Sequence, residues 1–131
     1  MTVSKYELLC EQFGADDVDR QHRDAERYPF ACDFYVRSLD LFIELNASWT
    51  HGGHWFDPNS PNDIAKLEEW ADKAKRGHMF YGSAMETWVI RDPRKRDWAW
   101  LEGINCLVFW DNDLTDAKAW LASFRRDEEM I

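Results

Sequence analysis

The sequence predicts an α/β fold, more closely an α+β mixed sheet with helices on its faces, and three observations predict it. Two apolar runs of strand length, 28–36 and 39–46, are separated only by Arg37-Ser38, which suits a short hairpin connection. Segments with apolar residues at three- and four-residue spacing stand before and after that pair. A further apolar run, 104–110, follows the helices, so the chain returns to the sheet by a helical crossover. A length of 131 residues holds one domain around a single two-layer core.

Each element has its own signal. Ser4 with Glu7 three residues on, just ahead of Leu8, Leu9 and Phe13, reads as a capping box opening a helix over about 4–14, which Gly14 ends. The polar, alternating stretch 18–23 suits an edge strand, and 28–36 and 39–46 complete a meander. The stretch 47–58 has neither period and carries His51, His54, Trp49, Trp55 and two glycines, so it is a loop rich in side-chain chemistry. A turn at 59–63 supplies an N-cap, and Ile64, Leu67, Trp70, Ala71 and Ala74 mark a helix over 64–76, stopped by Gly77. Residues 79–90 fit either a helix or an extended segment. Asp92-Pro93 restarts a helix, with Asp92 as N-cap and Trp98, Leu101 and Trp100 toward the core, closed by Gly103. Residues 104–110 read as a buried strand, and a last helix begins near Asp113 with Leu114, Trp120, Leu121 and Phe124 inward.

Composition narrows the function classes. The chain has 8 Trp, 8 Phe and 4 Tyr, an aromatic content that disordered segments lack. Three cysteines with no CxxC pair write neither a zinc ribbon nor a thioredoxin-type motif. No signal peptide or membrane-length apolar run is present, so an intracellular, cytoplasmic protein with reduced thiols and no membrane partner is expected. A net charge of -9 argues against a non-specific polyanion binder. Its distribution argues less strongly: residues 66–96 hold 8 of the 16 basic and 5 of the 25 acidic residues, a local balance of +3.

Two acids break the apolar strands, Asp33 in the first run and Glu44 in the second. An acid in a buried strand is costly unless it is paired or binds a metal. On adjacent strands with cooperating register, two carboxylates suit a divalent cation with oxygen ligands. Histidines His51 and His54 and Asp57 follow directly, and Glu7 on the opening helix is a further carboxylate. Glu7 also has an ordinary use in the capping box, and Arg94-Lys95-Arg96 an ordinary one as a solvated helix face.

These features in this order resemble the PD-(D/E)XK nuclease superfamily: Ser4-x-x-Glu7 on a helix, Asp33-Phe34-Tyr35-Val36, Phe42-Ile43-Glu44-Leu45-Asn46, Thr50-His51-Gly52, Arg91-Asp92 before a helix, and Leu107-Val108-Phe109-Trp110. Within it, the chain looks most like very-short-patch repair endonucleases and their E-D-x-H-D homing-endonuclease relatives, over about 4–111. The resemblance implies a restriction-endonuclease-like core ordered helix, three-strand meander, helices, strand, helix. It implies a Mg²⁺- or Mn²⁺-dependent endonuclease or nickase, with the metal on Asp33 and Glu44. Asn46 stands where the family pattern has lysine, and the E-D-x-H-D relatives use histidine instead, which points to His51 as general acid or base. Glu7 orients the water or His51, and either His54 or Asp57 completes the site. Arg91, Arg94, Lys95 and Arg96, with Lys75 and Arg76 as a second cluster, are the expected phosphate contacts. The mismatch-repair members' zinc ligands have no counterpart at Gly53 or Cys106, so no structural zinc is expected. The expected partner is duplex DNA, including branched or mismatched DNA, with a homodimer or a second protein supplying specificity. Two rivals remain open: a catalytically dead nuclease fold used as a binding module, suggested by Asn46, and an acidic DNA mimic, suggested by the charge.

Overall fold

The computed structural model describes residues 4–129. Its elements in order are α1 (Lys5–Phe13), β1 (Val18–Asp24), β2 (Tyr28–Val36), β3 (Leu41–Leu45), α2 (Pro61–Lys75), α3 (Tyr81–Glu86), a π-helical turn (Thr87–Arg91), α4 (Asp92–Leu101), β4 (Asn105–Phe109) and α5 (Thr115–Glu129). Strands β1, β2 and β3 form an antiparallel meander, and β4 lies parallel to β3, giving one mixed sheet in the order β1-β2-β3-β4. The α+β mixed sheet expected from the sequence is therefore the fold class. No helix among the described residues is long and apolar enough to cross a membrane.

Each face of the sheet has its own core. Leu9, Phe34, Val36, Ile43, Phe109 and Ala117 join one face to α1 and α5. Tyr28, Cys32, Phe42, Ala99 and Ile104 join the other to α4. A third cluster of Trp70, Ala84 and Trp88 ties α2 to α3 and the π turn. Alternation along β3 sets the direction of its acid: Phe42 packs toward α4 and Ile43 toward α1, so Glu44 falls on the α4 face.

Several boundaries differ from the sequence reading, each for a physical reason. Strand β3 starts at Leu41, because Arg37–Leu39 forms a 3-10 turn and Asp40 turns left-handed at φ 47°. Tyr35 Oη donates to the Asp40 carboxylate at 2.5 Å and Arg27 grips it with two hydrogen bonds, which hold the turn. Helix α2 begins at Pro61, since Ser60 is its cap, accepting from the Asp63 amide, and proline sits comfortably in a first turn. Strand β4 is half-exposed rather than buried, because it is the sheet's edge with β3 alone as neighbour.

The largest correction concerns Asp92. It does not cap a new helix, because α3 runs through the π turn into α4 without a break. Pro93 has no N–H and its ring crowds the carbonyl one turn back, and the wider π turn just before it, where the Asp92 N–H reaches Thr87 O, relieves that clash. Asp92 is consequently buried inside the helix. The face of α4 also differs from expectation: Ala99 is buried, while Trp100 is 80% and Leu101 73% exposed.

Candidate functional site

The site forms where β2 and β3 part. Their ladder pairs Val36 with Leu41, Tyr35 with Phe42 and Phe34 with Ile43, and ends there. Beyond it the Leu45 N–H donates to Asp33 Oδ2 at 2.7 Å, so a side-chain carboxylate takes the place of a ladder carbonyl. Asp33 Oδ1 is left without a hydrogen bond among the described residues.

Glu44 is 6% exposed. Its Oε1 accepts from Tyr28 Oη at 3.3 Å, and its Oε2 accepts from Lys95 Nζ at 3.3 Å. Burial pushes the Glu44 carboxyl above the usual carboxylate range; the Lys95 ammonium opposes this and the nearby charge of Asp33 adds to it. The same environment keeps its neighbours neutral, since burial and the charge of Glu44 push the Cys106 thiol up to about 11 and raise the Tyr28 phenol too.

Opposite this pair stands His51, in the 3-10 turn Trp49–His51. Its Nδ1 lies 2.7 Å from Asp92 Oδ2. A carboxylate only accepts, so Nδ1 carries the proton that faces Asp92, and in the neutral form of the ring Nε2 is then the nitrogen with the free lone pair. The turn is pinned from below: Gly52 has φ +74°, and a Cβ there would lie 2.3 Å from the Trp88 indole. Lys66 Nζ donates to Gly52 O, and Trp88 Nε1 to His54 O. Asp33, Glu44, Asn46, His51, Arg91, Asp92 and Lys95 line one polar cavity of about 340 Å³.

Other expected residues lie elsewhere. Glu7 is exposed on α1, which packs on the opposite face of the sheet. His54 Nε2 donates to Asp63 Oδ1 at 2.7 Å and the Asp57 amide donates to Asp63 Oδ2 at 2.9 Å, so Asp63 staples the loop and draws both residues away from the cavity. Burial opposes ionisation of Asp63, but these two hydrogen bonds outweigh it and hold its carboxyl below the usual range. Arg96 stacks over Trp55 at 4.9 Å, Arg94 is exposed, and Arg76 pairs with Asp72 at the end of α2, where Lys75 is exposed.

Sequence reasoning missed Asp92 as the partner of His51, because Asp-Pro reads as a helix start. Nor did it foresee that the Lys95 ammonium, expected at a phosphate, reaches the Glu44 carboxylate within the same cavity. The three-residue spacing of Asp92 and Lys95, which sets both on one side of α4, was the available signal.

Among the described residues no group of three or more His, Cys, Asp or Glu side chains is arranged to hold a metal ion. Mg²⁺ needs only one or two carboxylates beside water and phosphate oxygens; Asp33 has one oxygen without a hydrogen bond among the described residues, whereas both oxygens of Glu44 are taken, by Tyr28 and by Lys95. Comparison with protein-family models, with curated proteins and with solved structures returned no match.

Proposed function

We propose that the chain is a metal-dependent endonuclease or nickase that hydrolyses phosphodiester bonds in DNA. The observation that carries this reading is the histidine–carboxylate pair His51–Asp92 facing Asp33, Glu44 and Lys95 across one polar cavity. In this reading His51 Nε2 removes a proton from the attacking water as the new phosphorus–oxygen bond forms, and Asp92 compensates the imidazolium. The bond to the leaving oxygen breaks in line, that oxygen takes a proton from solvent water, and the imidazolium of His51 returns its proton to solvent. Lys95 and Arg91 offset the extra negative charge of the five-coordinate transition state. Lys95 thereby brings to Glu44 the ammonium that position 46, an asparagine, does not. A bound Mg²⁺ or Mn²⁺ on Asp33 and Glu44 would supply Lewis-acid neutralisation of the phosphate and a more acidic water. Such an activity belongs in a cytoplasm that holds the target DNA.

Supercoiled-plasmid nicking with Mg²⁺ or Mn²⁺ tests this. The wild type is expected to nick, and Asp33→Ala and His51→Ala to lose roughly 10²-fold or more. A wild type that leaves supercoiled plasmid and branched and mismatched duplexes all intact overturns the reading in favour of a binding module.

A further inference from the structure

The sheet has two edges, and one of them is guarded. Strand β1 carries Asp19, Arg20, Arg23 and Asp24, turns left-handed at Gln21 (φ 50°) and slips register between His22 and Asp24, all of which hinder the addition of another strand. Strand β4 has no charged residue, no proline and no break in its register with β3.

The phase of the β3–β4 hydrogen bonds says which groups stay bare. The Asn46 N–H donates to Phe109 O, so residues 105, 107 and 109 turn their backbone groups toward β3, and 104, 106, 108 and 110 turn theirs outward. At the two ends the chain covers its own donors: the Ile104 N–H donates to Ala99 O and the Trp110 N–H to Asp116 Oδ2. Between them, the N–H and C=O of Cys106 and Val108 meet no partner among the described residues. An unburied ring stands beside this bare edge. Trp98 Nε1 donates to Arg27 O in the β1–β2 turn, so Trp100, two positions further along α4, projects the other way. It shares a wall with Cys106 and Val108 and is 80% exposed.

We propose that this edge pairs with the same edge of a second copy, β4 antiparallel to β4, about a two-fold axis at Leu107. Two outward-facing residues flanking a central one are self-complementary in that arrangement. Cys106 of one copy and Val108 of the other exchange N–H···O bonds on each side of the axis, four in all, and Leu107 faces its own counterpart. A lone strand from another protein would satisfy the backbone and leave Trp100 in water, whereas a second copy brings its own sheet and α4 to the same side and covers the ring. Trp100 alone offers about 120–200 Å² of surface. With Leu101 and the half-exposed strand, the patch is on the scale of about 600 Å² per partner, where association is weak and depends on concentration. The guarded β1 edge stops the assembly at two copies instead of a filament.

In the dimer both polar cavities open on one side of an eight-stranded sheet. Glu44 registers with Val108, one residue from the axis, so the two Glu44 Cα atoms lie about 16 Å apart. That the paired cavities serve the two strands of a duplex rests on the nuclease reading; the pairing of the edges does not.

The test is sedimentation velocity of the full chain over about 5–300 μM, alongside plasmid nicking. The wild type is expected to pass from monomer to dimer across that range. Val108→Pro removes an outward N–H at a position where an edge strand tolerates proline, and with it two of the four hydrogen bonds; Trp100→Glu puts two charges into the interface. Each is expected to weaken dimerisation about tenfold or more with an unchanged circular-dichroism spectrum, and Trp100→Glu, at an exposed position, decides alone if Val108→Pro does not fold. Residues facing each other across the axis have Cα atoms about 4.5 Å apart, within disulfide reach. Leu107→Cys is therefore expected to cross-link copy to copy on oxidation, in a yield well above that of the wild type with its three free cysteines. A wild type still monomeric at about 300 μM, a dimer that Trp100→Glu leaves as strong, or a dimeric Leu107→Cys that cross-links no better than the wild type overturns the pairing. Dimerisation in a chain that never nicks supports the pairing and overturns the nuclease reading alone.

Discussion

At His51 the charge and the shape of its partner are separable. Asp92→Asn keeps the size of the side chain and removes the negative charge that compensates an imidazolium, so nicking is expected to fall by roughly 10²–10⁴-fold while the melting temperature moves little by comparison. Nicking at wild-type rate in Asp92→Asn would reduce the pair to a loop fastening. Glu44 makes a separate statement through pH. Its carboxyl is held above the usual range chiefly by burial, so the folded chain keeps that proton to higher pH than the unfolded chain does. Stability from this group is therefore full below the unfolded value and is lost as pH rises through the raised folded one. Asp40 acts in the opposite sense: the hydrogen bonds from Arg27 and then Tyr35 lower it to about 2, so its contribution is present above the ordinary aspartate value and fades as pH falls toward 2. Metal-free denaturation of wild type and Glu44→Gln isolates the first effect, since Asp40 is common to both. The difference between them is expected to shift in favour of Glu44→Gln as pH rises above about 4.3, the ordinary glutamate value. A difference independent of pH would show that Glu44 titrates normally.

The loop 47–58 and the π turn act as one element, because Trp88 on the turn is the surface on which Gly52 rests. A side chain at Gly52 meets two penalties: a left-handed backbone, worth about 1–2 kcal/mol for any L-residue, and collision with the indole. Gly52→Ala is thus expected to lower the melting temperature by roughly 5–10 °C and to abolish nicking by lifting His51 away from the cavity. Wild-type nicking by this variant would mean that the loop does not need Trp88 beneath it. The legibility of the sequence divides at the same place. The strands and most helices were readable because burial imposes period two or period 3.6 on Phe42, Ile43, Trp70 and Leu121, and the acids Asp33 and Glu44 stood out against that pattern. Asp92 did not, since Asp-Pro has the local chemistry of a helix start, and only tertiary packing of Trp88 under the loop turns it into a buried partner for His51. Asp63 was hidden likewise: a carboxylate near an N-cap reads as helix chemistry, and nothing local tells that both its oxygens fasten residues six and nine positions earlier.

Over the whole molecule, the net charge of -9 and the basic stretch 66–96 make opposing demands on DNA binding, and the ion pairs decide between them. Lys73 is paired with Glu69, Arg76 with Asp72, Lys95 with Glu44 and Arg96 with Asp97. Lys66 is committed to Gly52 O and the Trp88 ring. Lys75, Arg91 and Arg94 make no ion pair among the described residues, so about three cations of that stretch are available to displace counterions from DNA. Each phosphate neutralised contributes about -0.9 to the slope of log affinity against log salt concentration on duplex DNA. The metal-free chain is therefore expected to bind duplex weakly, with a slope of about -3, measured by fluorescence anisotropy over 50–200 mM salt. Lys75→Ala, Arg91→Ala and Arg94→Ala should each reduce the slope by about one, whereas Arg76→Ala should leave it nearly unchanged. If the proposed reaction places a phosphate in the cavity, divalent cation should strengthen binding in the wild type more than in Asp33→Ala, because carboxylates there otherwise repel it. A slope of -6 or steeper would mean that paired cations leave their carboxylates for DNA, and the basic face would then be a larger interface than its three unpaired charges describe.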